Sequence, residues 1–372
     1  MHLTQLPLVA TLLMGLTTTG LAKPIHAFIG TYTNTTSKGI YSITLDSETG
    51  KLSEPKLAAT AANPSFLGYA PNLKTLYAIS ESGSSVEAFS VGKDHTLRSL
   101  GSQPTVDAGP ADVAADPTGK LVVAAIYGEG STVGFPVQKD GSIGARSSFI
   151  KHEGKSVHPT RQKASHAHGV TFSKDGKFVA IPDLGIDQVK LHRVESSSGQ
   201  LSLKEGTSLS IEPGSGPRHA VFSRDGHHLY VINELSSTIT VASFDRTSGQ
   251  AARLQTISTL PTGYSGNSTT AEIAVHPNDR FIYGSNRGHD SIAVFRRDAK
   301  TGQLTWVSTT LTGGKTPRNF ALTPDGNWLI AANQDSDTLH VFRVNSTTGE
   351  LTATGHTAQL PRPVCVRFTS YP

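Results

Sequence analysis

Cysteine is nearly missing from this chain. Cys365 stands alone among 372 residues, so no internal disulfide and no cysteine-based metal cluster can form. Cys365 is expected to be a buried, inert thiol. Charged residues make up only 17% and the formal net charge is +4. No basic run interleaved with aromatics occurs, so nucleic acid is not an expected partner. Long stretches with apolar residues at a 3.6-residue period are also absent, which argues against a helical domain. No Gly-x-Ser-x-Gly elbow appears, which removes one serine hydrolase signature. Gly313-Gly314-Lys315-Thr316 lacks the upstream glycine of a phosphate-binding loop and reads as a connector.

Glycine is plentiful, with 36 residues, and it falls in a repeating pattern. The clearest unit is 216–250, GPRHAVFSRDGHHLYVINELSSTITVASFDRTSGQ. Ala220 to Phe222 is apolar, Ser223-Arg224-Asp225-Gly226 is a turn, and His228 to Ile232 is rich in strand formers. Thr238 to Phe244 then alternates polar with apolar residues. The turn and the strand after it recur. The fourth turn residue falls at 73, 119, 176, 226, 279 and 326. A second turn, Asp-x-x-x-Gly, closes units at 46–50, 245–249 and 298–302. Steps of 46 to 57 residues with several short strands each are the signature of propeller blades.

Six units carry the first turn. A seventh set of strands at the chain start, IHAFIGTYT and GIYSITLD, lacks an inner strand. The segment 361–368, PRPVCVRF, resembles strands that open other blades. The predicted fold is an all-β, seven-bladed propeller, closed by the C-terminal strand pairing with the N-terminal blade. Closure removes the exposed edges of an open array. The longest step contains 151–168, KHEGKSVHPTRQKASHAH, and a long polar loop of this kind is more often functional or disordered than idle.

The repeat also predicts a site. Inner strands ring the axis, so their starts converge on one mouth of the channel, together with the ends of the second strands. The residues at inner-strand starts are Ser65, Ala111, His168, Arg218, Ala271 and Arg318. Those at second-strand ends are Glu81, Tyr127, Leu184, Glu234, Arg287 and Gln334. Equivalent positions that carry His, Arg and Glu suggest a site on a symmetric frame. His168 and Glu234 are candidate proton-transfer groups. Arg218 and Arg287 suit an oxyanion or a substrate acid group. Arg318, His166, Asn233 and Glu81 are expected to contact substrate. Positive surroundings should keep Glu234 ionised and His168 neutral. His152, His158, His166 and His168 crowd one region, but without matched carboxylates they form no recognisable zinc set. Asp183 and Asp187 more simply make a turn. No metal and no cofactor are expected.

At these residues the chain resembles a known family. The segments SHAHGVTFSKDGKFVAIPDLGID, GPRHAVFSRDGHHLYVINEL, YGSNRGHDSIAVF and TPRNFALTPDGNWLIAANQ are similar to those of the seven-bladed propeller lactonases. That family includes propeller-type 6-phosphogluconolactonases and carboxy-muconate lactonizing enzymes. The resemblance runs from about Ile25 to the C-terminus. It implies a site of one histidine, arginines and a glutamate, matched here by His168, Arg218, Glu234 and Arg287, with Arg318 matching another recurrent arginine. It implies cofactor-independent hydrolysis of a sugar lactone, 6-phosphogluconolactone or an unphosphorylated aldonolactone. The partner is then a small anionic or lactone substrate. Two alternatives stand beside it: a cycloisomerase or lyase acting on a muconate-like diacid, and a non-catalytic binding propeller.

Residues 1–22 differ from everything after them. LPLVATLLMGLTTTGLA has no formal charge, yet it is too short and too broken by threonine for a membrane span. Leu21-Ala22 before Lys23 offers a small-residue cleavage site, so residues 1–22 read as a secretory signal and 23–372 as the propeller domain. The mature protein is then periplasmic or secreted, with no membrane span, and cytoplasmic only if the segment is not a signal. N-terminal sequencing of protein from its native host should begin at Lys23; a retained Met1 in soluble cytosolic protein would withdraw export.

Overall fold

The turn Ser223-Arg224-Asp225-Gly226 shows how each blade begins. The Ser223 hydroxyl donates to Asp225 Oδ1 (2.6 Å), and the same oxygen accepts from the His227 backbone N–H (3.0 Å). Ser223 Oγ also accepts from the His228 N–H (3.0 Å). Gly226 sits at φ +75°, where a side chain would be strained. The same bonds recur at Ser173 and Asp175, and at Thr323 and Asp325. The turn therefore hands an inner strand, Pro217–Phe222, directly to a second strand, His228–Asn233. Thr238–Phe244 and Ala251–Ser258 follow as third and outer strands.

The structure is a computed structural model and describes residues 24–70, 74–197 and 199–369. The expected signal segment, Met1 to Ala22, lies outside the described residues. Seven four-stranded antiparallel sheets form a ring, and in six of them the strands are consecutive in sequence. The exception is blade one, which takes its inner strand, Pro363–Phe368, from the far end of the chain. That strand pairs antiparallel with Ala27 to Thr31, and Tyr32 N–H extends the pairing to Arg362 O at 3.1 Å. The predicted closure is therefore present, slightly shorter than 361–368. Cys365 is fully buried there, and burial raises its thiol pKa to about 12, which leaves it inert at neutral pH. Blade one ends in an outer strand, Lys56–Thr60.

Most second strands are buried along their whole length, as in Thr75–Ser80, Leu121–Ile126, His228–Asn233 and Trp328–Asn333. Each is covered on both faces by neighbouring blades, so its sequence is apolar without strict alternation. Outer strands such as Ala251–Ser258 are mostly exposed. The Asp-x-x-x-Gly turn carries the contact between blades. A Cβ on Gly249 would lie 2.2 Å from the Phe178 ring of the preceding blade. Gly50 approaches Trp328 of blade seven in the same way, at 2.4 Å, and Trp328 Nε1 donates to Ser47 O (3.0 Å). The end of the chain is thus locked to its start twice, once through strand pairing inside blade one and once through this contact between blades seven and one.

The 152–168 loop is tied down firmly. His152 Nδ1 donates to buried Asp183 Oδ2 (2.7 Å), Gln162 Nε2 donates to Leu184 O (2.8 Å), and the Ser165 hydroxyl donates to His152 O (2.8 Å). Asp183 Oδ1 accepts from the backbone of His166 and Gly185, and Asp187 accepts from Gly214 and Gly216, so both carboxylates organise turns.

Removing residues 361–372 should strongly destabilise the ring. Val364, Cys365 and Val366 are nearly fully buried, and each buried side chain contributes about 1.5–3 kcal/mol. Their sum is a large part of the ~5–15 kcal/mol that holds a typical domain together. Denaturant unfolding measures this; a truncated chain with the full-length midpoint would refute closure as a stabilising element.

Candidate active site

A β-bulge opens most inner strands at the predicted frame position. In blade five, Pro217 pairs with Asn233 and His219 with Ile232, leaving Arg218 unpaired between them. Ala111 is skipped in the same way in blade three, and Arg318 in blade seven. A bulge re-aims side chains that a regular strand would alternate. Consecutive residues Arg218 and His219 therefore both line the axis, with Arg218 Nη1 3.2 Å from His219 Nε2.

These positions surround a pocket of about 330 Å³ at one mouth of the channel, a volume suited to a small ligand. Ser65, Glu81, Arg161, His168, Arg218, Glu234, Arg287 and Arg318 line it. The opposite end of the channel is a larger opening of about 660 Å³, walled mainly by apolar inner-strand residues. The smaller pocket is the better candidate because the charged groups converge there.

Glu234 is the electrostatic centre. Arg161 Nη2 donates to its Oε1 at 2.7 Å, and Arg218 Nε and Arg287 Nη2 approach Oε2 at 3.1 and 3.0 Å. The Arg218 contact is an ion pair without hydrogen-bond alignment; that guanidinium instead donates through Nη1 to Ala271 O (2.7 Å). Burial alone would raise the Glu234 pKa, but the charges of Arg287, Arg218 and Arg161 outweigh it and bring it to about 2. Burial, with Arg318 and Arg287 nearby, lowers the Arg218 pKa to about 9, which leaves it cationic at neutral pH.

His168 lies 6% exposed beside this cluster. Burial first, then the charges of Arg218, His219 and Arg318, hold its pKa well below the ordinary histidine value. It is neutral at pH 7, and its Nδ1 has no hydrogen-bond partner among the described residues. Its ring meets Tyr127 and His219 edge-on at 5.3 and 5.4 Å. Beneath it, buried Glu272 accepts from His219 Nδ1 (3.2 Å) and from Asn319 Nδ2, and Asn319 Oδ1 accepts from the Val366 N–H (2.8 Å). This chain of bonds links blades five, six, seven and one under the site.

The remaining expected residues divide. Arg318 lines the pocket with its guanidinium 5.5 Å from the Tyr32 ring, and makes no ion pair among the described residues. Glu81 also lines it. Asn233 and His166 do not, which corrects the expectation that they contact substrate. Asn233 is the last residue of its strand and turns into the blade, where Nδ2 donates to Thr238 and Thr240 hydroxyls, each at 2.9 Å. Glu234, one residue later, points the other way. His166 stacks on Tyr127 at 4.5 Å and donates from Nδ1 to Tyr127 O (2.7 Å), so it supports the wall from behind. Sequence reasoning missed Arg161. The length of its loop was the available signal, but the loop lies outside the repeat, and no register selects one of its basic residues. Glu272 was missed because the frame position chosen was its neighbour, Ala271.

Comparison with known proteins agrees with this geometry. The chain is 38% identical over 283 residues to 6-phosphogluconolactonase of Bacillus subtilis, covering 75% of this chain and 80% of that protein. It is 30% identical over 287 residues to 6-phosphogluconolactonase of Formosa agariphila, covering 74% and 80%. The structure of the periplasmic gluconolactonase of Pseudomonas aeruginosa superposes with a TM-score of 0.88 at 30% identity, covering 94% of this chain and all of that one. The family described as Lactonase, 7-bladed beta-propeller, matches residues 26–368, and the chain belongs to it.

Proposed function

We propose that this protein hydrolyses a sugar lactone to its acid, with His168 as the general base. The observation that carries the assignment is a neutral, buried imidazole that lines the same pocket as the arginine cluster. His168 takes a proton from water as the water attacks the lactone carbonyl. Arg218 and Arg287 stabilise the negative charge that develops on the carbonyl oxygen. Glu234 is a poor base, because its pKa is about 2 and both its oxygens are engaged. Its role is to hold three guanidinium groups in one place.

The lining groups favour an anionic or strongly polar substrate. Four arginines face two carboxylates, and His168 is neutral, so two positive charges remain in excess. Arg318 is the guanidinium available for a phosphate or an acid group. The names of the relatives support a lactone over a muconate-type diacid or a purely binding role. An exported protein suits an unphosphorylated aldonolactone, and the periplasmic gluconolactonase among the structural neighbours supports that placement. An intracellular protein would suit the 6-phosphate. Purified protein assayed with gluconolactone and its 6-phosphate, against spontaneous hydrolysis, decides between them. Turnover of neither would overturn the reading.

Replacing Arg218 by Ala should lower the lactonase rate about a hundredfold, roughly 3 kcal/mol for one lost oxyanion donor. Arg218→Lys should not fully restore it, because an ammonium cannot reproduce the guanidinium fork. Full activity in Arg218→Ala would falsify the assignment. Glu234→Ala should lower both activity and the thermal midpoint, because unpairing buried charges costs about 3–5 kcal/mol.

The pH dependence has a definite sign. A base whose pKa is depressed stays unprotonated until the pH falls below that lowered value. Activity should therefore persist below pH 6.5, and the acid limb should move toward higher pH in Arg218→Gln, where one charge that lowers the His168 pKa is gone. Pre-steady-state or pH-stat rates across pH 4.5–8 read this directly; an acid limb unmoved by the substitution would exclude His168 as the titrating base.

A further inference from the structure

Ser65 and Glu81 occupy in blade two the frame positions that Arg218 and Glu234 occupy in blade five. In blade five the pair is ionic, with Arg218 Nε 3.1 Å from Glu234 Oε2. In blade two a hydroxyl replaces the guanidinium: Ser65 Oγ donates to Glu81 Oε2 at 2.6 Å. Glu81 makes no ion pair among the described residues, although the pocket it lines also holds four arginines. The Tyr32 hydroxyl stands beside it. Ser65 is buried and Glu81 half-buried, so the carboxylate is presented to the pocket by a serine that cannot itself swing away. The pocket thus has two unlike sides. One is built of guanidinium donors around His168, and the other offers acceptors.

The two sides select different parts of a substrate. A carbonyl that becomes an oxyanion belongs among the donors. Hydroxyl groups are donors and belong against a carboxylate, which can take two of them at once through its oxygens. A second carboxylate on the substrate would be repelled there, which discriminates against a diacid. Resting on the lactonase reading above, we infer that Ser65 and Glu81 form the surface that reads the hydroxyl groups of a polyhydroxylated lactone ring. They fix the ring so that its carbonyl faces His168 and Arg218. Glu81 is then a specificity-determining residue that takes no part in proton transfer.

The test compares two lactones with the same six-membered ring and carbonyl: glucono-δ-lactone, and δ-valerolactone, which has no hydroxyl groups. Acid release is followed in a pH-stat and corrected for spontaneous hydrolysis. The wild-type protein should prefer gluconolactone in kcat/KM. Glu81→Gln and Ser65→Ala should each reduce that preference about tenfold, the difference expected when hydrogen bonds to a charged acceptor are weakened. The rate on δ-valerolactone should fall much less than the rate on gluconolactone, because that ring offers the carboxylate no hydroxyl group. Glu81→Asp keeps the charge but shortens the reach, and supplies the same comparison if Glu81→Gln does not fold. A parallel fall on both lactones would assign Glu81 to catalysis or to the fold and overturn the inference. So would an unchanged ratio, or a wild-type protein that does not distinguish the two lactones. Turnover of neither these lactones nor 6-phosphogluconolactone by the wild type removes the lactonase reading itself, and this assignment falls with it.

Discussion

A propeller has no core of its own at the level of one blade. Each second strand is covered on both faces, by the blade before and the blade after, and this is possible for all seven only if the ring closes. Closure here depends on Pro363–Phe368, the inner strand of the blade that the chain began. The Gly50 turn against Trp328 repeats across the seam the contact that Gly249 makes with Phe178 within the ring. The seam is therefore packed like any other blade boundary. Because the ring is closed, all inner strands start at the same height around one axis, and the position of the site follows from that.

The bulges convert this geometry into chemistry. A regular inner strand would send only alternate residues to the axis. The extra residue at Arg218 and Arg318 sends an additional side chain to the mouth while the next residue, His219 or Asn319, still reaches the channel. Two layers result. The outer layer holds the guanidinium groups and His168. The inner layer, His219 with Glu272 and Asn319, ties four blades together beneath them. Several guanidinium groups in a small, partly dry space repel one another, and Glu234 makes the arrangement possible by neutralising part of that charge. The surplus that remains depresses the His168 pKa further than burial alone would. The same charges that would stabilise an oxyanion thus keep the base unprotonated.

Symmetry of the backbone does not carry over to the side chains. Two positions of one frame hold an ion pair in blade five and a hydroxyl–carboxylate pair in blade two. The 152–168 loop breaks the symmetry further, because it reaches across from the end of blade three and places Arg161 on Glu234. Two latches, His152 on Asp183 and Gln162 on Leu184 O, fix it there. A fold that repeats gives the mouth of the channel, and the departures from the repeat give the mouth its chemistry.

The sequence by itself determined the strands, the turns, the number of blades and the strand that closes them. These follow from local rules: glycine where φ is positive, Ser/Thr and Asp where a turn needs side-chain acceptors, and apolar runs where a strand is covered twice. It also determined that His168, Arg218, Glu234 and Arg287 would meet, because one register applied to every repeat assigns them one height. Only the tertiary structure decided which way a side chain turns at the end of a strand. Asn233 enters the blade and Glu234 leaves it, although both sit at the same frame height. Only the tertiary structure brought in Arg161, since a loop outside the repeat has no register to read. The saturation of Glu234 was likewise invisible, because it depends on distances between charges from a loop and two blades, and Coulomb interactions follow separation in space, not in sequence.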